Sequence, residues 1–141
     1  MSLCIALFED DLVDQEIDGL EWGGCDDFEA FRARVADELL EGDWRRGFPV
    51  LLTVVDNSAG WPADHVADLA VELRAIAEAF DALPSELHDP ESWQASVLAQ
   101  LGREPSSLRE FFIDVDGQPV IDRLLELAEQ AATLDRPLSF T

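Results

Sequence analysis

The sequence predicts one small α/β or α+β domain spanning residues 1–141, with a mixed β-sheet covered by about four helices. Three observations carry that prediction. A chain of 141 residues can bury one real core and is too short for two ordinary ones. A hydrophobic content of 48% is too high for a disordered chain, despite the extreme charge. Short apolar runs alternate with longer segments of helical period, the pattern of helices packed on a sheet.

The elements follow in order. Leu3 to Phe8 (LCIALF) reads as a buried strand, and Ile17, Leu20 and Trp22 mark a second strand or a segment lying on the core. Asp26 or Asp27 caps a helix, with Glu29 three residues after Asp26, and Phe28, Phe31, Val35 and Leu39 form its apolar stripe up to Gly42. Phe48 to Val55 (FPVLLTVV) is β-branched and apolar, and reads as the central strand. Trp61-Pro62 opens a helix whose stripe is Val66, Leu69, Ala70, Leu73, Ile76, Ala77 and Phe80. Asp64, Asp68, Glu72 and Glu78 face outward from it, and Leu83-Pro84 ends it. Asp89-Pro90 starts another helix, with Asp as cap, Pro in the first turn and Gly102 as the stop. A strand at Phe111–Ile113, a helix from Pro119 to about Thr133 and an edge strand at Pro137–Phe140 complete the order. The helical crossovers favour some parallel pairing. Phe31, Val35, Val54, Leu73, Ile76, Leu124 and Leu127 are expected to share one core.

Charge narrows the function classes. Nine basic residues, all Arg, stand against 31 acidic ones, a net charge of −22. Such a surface repels phosphate backbones and anionic membranes, so neither nucleic acid nor membrane is an expected partner. The expected partner is basic, although adaptation to high salt gives the same balance. Between Glu9 and Glu29 lie ten carboxylates and no base, which makes this segment the strongest candidate for a partner face. Asp10, Asp11, Asp14 and Glu16 supply its field, and Trp22 and Trp44 are the nearby aromatic anchors, the second flanked by Arg45-Arg46. Simple solvation of a charged loop is the competing explanation. No apolar run reaches the roughly 20 residues a membrane helix needs, and the N-terminus lacks a signal-peptide pattern. Two cysteines, Cys4 and Cys25, are too few for a disulfide framework, so the chain is expected to be cytoplasmic and reduced.

Enzyme chemistry finds little footing. Asp114-Val115-Asp116-Gly117 resembles the start of a calcium loop, but Pro119 occupies the position of the loop glycine and Leu125 that of the bidentate carboxylate. The four residues are better read as a corner before a helix. Asp56-Asn57-Ser58-Ala59-Gly60 is a turn by the same reasoning. No serine sits in a nucleophile elbow, and no lysine exists to reach a phosphate. His65 is a proton carrier by type, yet it stands beside Val66 at the margin of a helix stripe. No catalytic, metal or cofactor-binding residue is assigned, and no cofactor is expected.

A pattern spread along the chain resembles a known family. Phe28-x-x-Phe31-Arg32, Trp44-Arg45-Arg46-Gly47-Phe48-Pro49, Gly60-Trp61 and Glu72-Leu73-x-x-Ile76-x-x-x-Phe80-x-x-Leu83-Pro84 follow one another in order. Ser107-Leu108-x-x-x-Phe112-x-Asp114-x-Asp116-Gly117 and Leu124-Leu125 continue it. Together they resemble the bacterial immunity protein family Imm70, over about residues 3 to 140. The resemblance implies a non-enzymatic cytoplasmic protein that binds and neutralises a cognate polymorphic toxin, and it carries over no catalytic residues. At Val54-Val55-Asp56 the chain departs from the more polar step expected there. The alternatives are an acidic interaction protein, such as a nucleic-acid mimic, with another basic partner, and a small enzyme using His65 and a carboxylate. Oligomeric state is left open.

Overall fold

Four strands pair in the order β2-β1-β4-β3, and every pairing is antiparallel. The computed structural model describes residues 2–8, 16–55, 59–85 and 91–141. Strand β1 (Ser2–Phe8) pairs along its length with β2 (Glu16–Gly24), with Ile5 opposite Leu20 and Ala6 opposite Gly19. Strand β4 (Leu138–Phe140) lies against the other side of β1, and β3 (Gly60–Trp61) pairs with β4 at the far edge. The C-terminal strand is therefore internal, where an edge strand was expected. The expected parallel pairing is also absent among these strands.

Alternation along β1 turns Leu3, Ile5 and Leu7 into the core. There they meet Leu20 and Trp22 of β2, then Phe28, Phe31 and Val35 of helix α1 (Cys25–Leu39). Helix α2 (Val66–Asp81) adds Leu69, Leu73, Ile76 and Phe80, and helix α5 (Val120–Leu134) adds Leu124 and Leu127. Both stripes run at helical spacing, which lets the two long helices pack side by side, with α5 also against the sheet. A second, smaller cluster joins Leu98 of α3 (Trp93–Gln100) to Phe111 of α4 (Leu108–Phe111) and to Ile113. Six of the seven residues expected in the core are there. Val54 is not; it is 37% exposed.

Three elements differ from expectation, each for a visible reason. Phe48–Val55 is not a strand: Val50–Val54 forms one π-helical turn. The backbone groups a sheet ladder would use are taken by side chains instead, as described below. Gly60-Trp61 does not open a helix but forms β3. The chain turns at Pro62, whose carbonyl accepts from the His65 N–H at 3.0 Å, before α2 begins. Phe111–Ile113 is the end of α4 and a single bridge between Ile113 and Pro119, because Phe111 and Phe112 point into different clusters.

Caps also moved. Gly24 is the N-cap of α1, and its N–H is accepted by the Asp27 carboxylate at 2.7 Å. The other Asp27 oxygen accepts from Trp93 Nε1 at 2.7 Å, so one side chain ties α1 to α3. Helix α3 is capped by Ser92, whose hydroxyl accepts from the Ala95 N–H. The expected Asp89-Pro90 start lies outside the described residues.

Candidate functional site

Edge strand β2 and the start of α1 carry the described part of the acidic segment. Asp10, Asp11 and Asp14 lie outside the described residues; Glu16 is exposed at the head of β2. The remaining carboxylates divide into two sets. Asp18 accepts from Arg123 (3.2 Å), from the Gly19 N–H (2.8 Å) and from Gln130 (3.3 Å). Partial burial opposes its charge, but these donors outweigh it and hold the carboxyl below its usual range. Asp27 is committed to Gly24 and Trp93, and Glu29 pairs with Arg32. Glu16, Glu21 and Asp26 have no arginine within ion-pair distance among the described residues. Glu16 and Asp26 are exposed and Glu21 is half-buried, and Arg123, the base at the Gly19 carbonyl of this strand, is already engaged by Asp18 and Glu126.

The outer edge of β2 is blunted over its second half. Arg123 Nη2 donates to the Gly19 carbonyl at 3.0 Å, and the Val115 N–H donates to the Glu21 carbonyl at 3.1 Å. An edge strand covered in this way offers less template for stray strand pairing. The covering loop is the aspartate corner. Asp114 Oδ1 accepts from the N–H groups of Asp116 and Gln118, both at 3.0 Å, and Gly117 takes a left-handed φ of 82°. The side chain is buried and already spent on its own turn, as the corner interpretation requires. Among the described residues, no group of three His, Cys, Asp or Glu side chains is placed to hold a metal ion.

Burial pushes the Asp114 carboxyl up, with the two N–H donors opposing. A carboxyl raised on folding adds stability below its unfolded pKa, and that share is lost as pH rises through the folded value. Because one oxygen accepts both hydrogen bonds, asparagine can keep them. Asp114→Asn is therefore expected to be as stable as the parent or more so at pH 7. The advantage should shrink as pH falls through the ordinary carboxylate range. Urea titrations of both proteins from pH 3 to pH 7 check this; an advantage that grows toward acid pH refutes it.

Of the two proposed aromatic anchors, Trp22 is removed by its packing. It has no exposed surface and its ring meets Phe28 at 5.1 Å and Phe31 at 5.2 Å. Trp44 is half-buried, and one face of its indole stacks 5.1 Å from the guanidinium of Arg32. Arg32 itself is buried on α1 and continues inward to donate to the Leu52 carbonyl at 2.6 Å.

That contact belongs to a strap around the π-helical turn. Glu72 of α2 accepts from the N–H groups of Val50 (3.0 Å) and Leu51 (2.9 Å), and Trp61 Nε1 donates to the Val50 carbonyl at 2.9 Å. Burial raises the Glu72 carboxyl from its usual value, with the two N–H donors opposing. Arg32, Trp44, Trp61 and Glu72, all in the pattern quoted above, thus meet at one place. Sequence reasoning placed Glu72 on the outer face of its helix. Its position three residues after Leu69 and four before Ile76 is the signal that sets it instead at the margin of the stripe.

The comparisons with known proteins fit this picture. The family model described as Imm70, Immunity protein 70, matches residues 9–140. The chain belongs to the Imm70 family. Neither the comparison with curated proteins nor that with solved structures gave a match. Membership makes this a bacterial immunity protein, consistent with a non-enzymatic role in neutralising a toxin. The partner that the family implies is a cognate toxin. Among the described residues of this Imm70 protein, no helix is long and apolar enough to cross a membrane.

His65, the proton carrier considered for an enzyme, stands at the N-cap of α2, and its Nδ1 is buried with no hydrogen-bond partner among the described residues. It sits at the helix margin in the immunity protein, as its sequence neighbours indicated. The thiols of Cys4 and Cys25 are both free.

Proposed function

We propose that this immunity protein acts in the cytoplasm and neutralises a toxin that presents a basic surface. The residues that would meet the toxin are those of the Glu9–Glu29 segment, with Asp10, Asp11, Asp14 and Glu16, assisted by Trp44. The observation that carries the proposal is that Glu16, Glu21 and Asp26, on one strand edge and helix start, have no ion-pair partner among the described residues. Opposite charge on the toxin steers it inward and raises the association rate, and occupation of its surface blocks its action.

The test is an association-rate series against salt concentration, using the toxin domain encoded beside this chain's gene. A variant with Asp10, Asp11, Asp14 and Glu16 changed to Asn or Gln is expected to bind more slowly at low salt, by roughly tenfold, with a shallower salt dependence. Equal rates and equal slopes for the two proteins remove this segment from the interface.

A further inference from the structure

The π-helical turn is fastened more heavily than its five residues require. Side chains from α1, α2 and β3 hold its backbone groups one by one. Desolvating a guanidinium and a carboxylate is costly, and well-packed apolar side chains would serve stability as well. What the strap adds is one fixed shape. The backbone points the same way: Phe48, just before the turn, has a φ of 50°, a left-handed conformation disfavoured for an aromatic residue. Strain held in place by surrounding structure is a mark of a surface kept ready for use.

The outer side of this strapped turn meets solvent. Pro49, Thr53 and Val54 are exposed there, and Val54 also forms one wall of an open groove of about 420 Å³ beside β3. Ala59, Pro62 and Pro137 supply its other apolar walls. Carboxylates stand within a few residues of the groove lining or touch the strap, and Arg136, the base between Asp135 and Pro137, is turned to the Phe8 carbonyl. Glu29, the partner of Arg32, is 53% exposed, Asp64 follows Pro62 by two residues, and Asp135 precedes Pro137 by two.

We infer that the strapped turn is where the toxin is gripped: the groove beside Val54 receives an apolar side chain of the toxin that is flanked by Arg or Lys. This rests on the proposal that the protein binds a basic toxin, and it adds the anchor that charge alone does not supply. Apolar walls select an aliphatic or aromatic side chain, and these carboxylates select basic neighbours. A turn already fixed in shape loses little freedom on binding, so more of the contact energy appears as affinity. Glu29 joins the two regions, since it belongs to the acidic segment and touches the strap through Arg32.

The experiment measures the affinity of the adjacent-gene toxin domain, with its active site disabled, for four proteins. Val54→Arg places bulk and positive charge at the groove, and Pro62→Arg does so on another wall. Val71→Arg makes the same charge change on the outer face of α2, where Val71 is 62% exposed. Both groove variants are expected to weaken binding at least 100-fold, mainly through faster dissociation, while Val71→Arg stays within threefold of the parent. Two groove variants guard against one that fails to fold. If the parent binds and both groove variants match Val71→Arg, the grip site is wrong and the toxin-binding reading stands. A parent protein that does not bind the toxin domain overturns both.

Discussion

Phe31→Ala is expected to lower the unfolding free energy by about 3–5 kcal/mol, the usual cost of deleting a buried aromatic ring. Phe31 has no exposed surface, and it sits where four parts of the chain meet. Its ring lies 5.2 Å from Trp22 on β2, 6.0 Å from Phe80 on α2 and 5.4 Å from Phe112 after α4. Edge-on and tilted contacts of this kind add to the area they bury. Alanine leaves a void bordered by three large rings that are each held by other neighbours, so the site has little room to collapse. Phe80 and Phe112 stack on one another, and Trp22 is braced by Phe28. Urea denaturation with an unchanged slope is the measurement. A loss below about 1 kcal/mol contradicts this hub.

The core was legible because its residues announce themselves by period. Leu69, Leu73, Ile76 and Phe80, like Leu124 and Leu127, sit at helical spacing, and the structure buries them all. The central strand was misread for an equally physical reason. FPVLLTVV has strand composition, and β propensity mostly reports a fit to a half-buried surface. That surface is here offered by a π-helical turn, several of whose backbone groups bond to Glu72, Arg32 and Trp61, at sequence distances of 11 to 22 residues. No local pattern encodes such partners. The same limit removed Trp22 from the candidate site. Its neighbours Glu21 and Gly23 look like a surface strand, while alternation on an edge strand turns it into the core. The acidic segment was legible as composition, but its division into committed and free carboxylates was not. Asp18 finds Arg123 across 105 residues, and Asp27 finds Trp93 across 66.

The left-handed glycines give a sharper test of the groove region. Gly60→Ala is expected to cost about 2–6 kcal/mol, from ~1–3 of backbone strain and ~1–3 of steric overlap. Gly60 has a φ of 109°, and a Cβ built there falls 2.2 Å from the Leu138 carbonyl oxygen, a backbone atom that cannot swing aside. Relief requires β3 to move away from β4, which opens the sheet edge and one wall of the groove beside Val54. Gly102→Ala is the control: its φ is 69°, but nothing lies within 4 Å of the added carbon, so only left-handed strain of about 1–2 kcal/mol is expected. Denaturation of both variants gives the totals, and hydrogen exchange locates the change. The Phe140 amide, which donates to the Ala59 carbonyl at 3.0 Å, should lose protection in Gly60→Ala and keep it in Gly102→Ala. Equal costs for the two substitutions contradict the close approach of β3 to β4. Toxin affinity reduced in Gly60→Ala alone would follow from the same displacement, because the strand that moves carries the groove's floor at Gly60 and the strap's indole at Trp61.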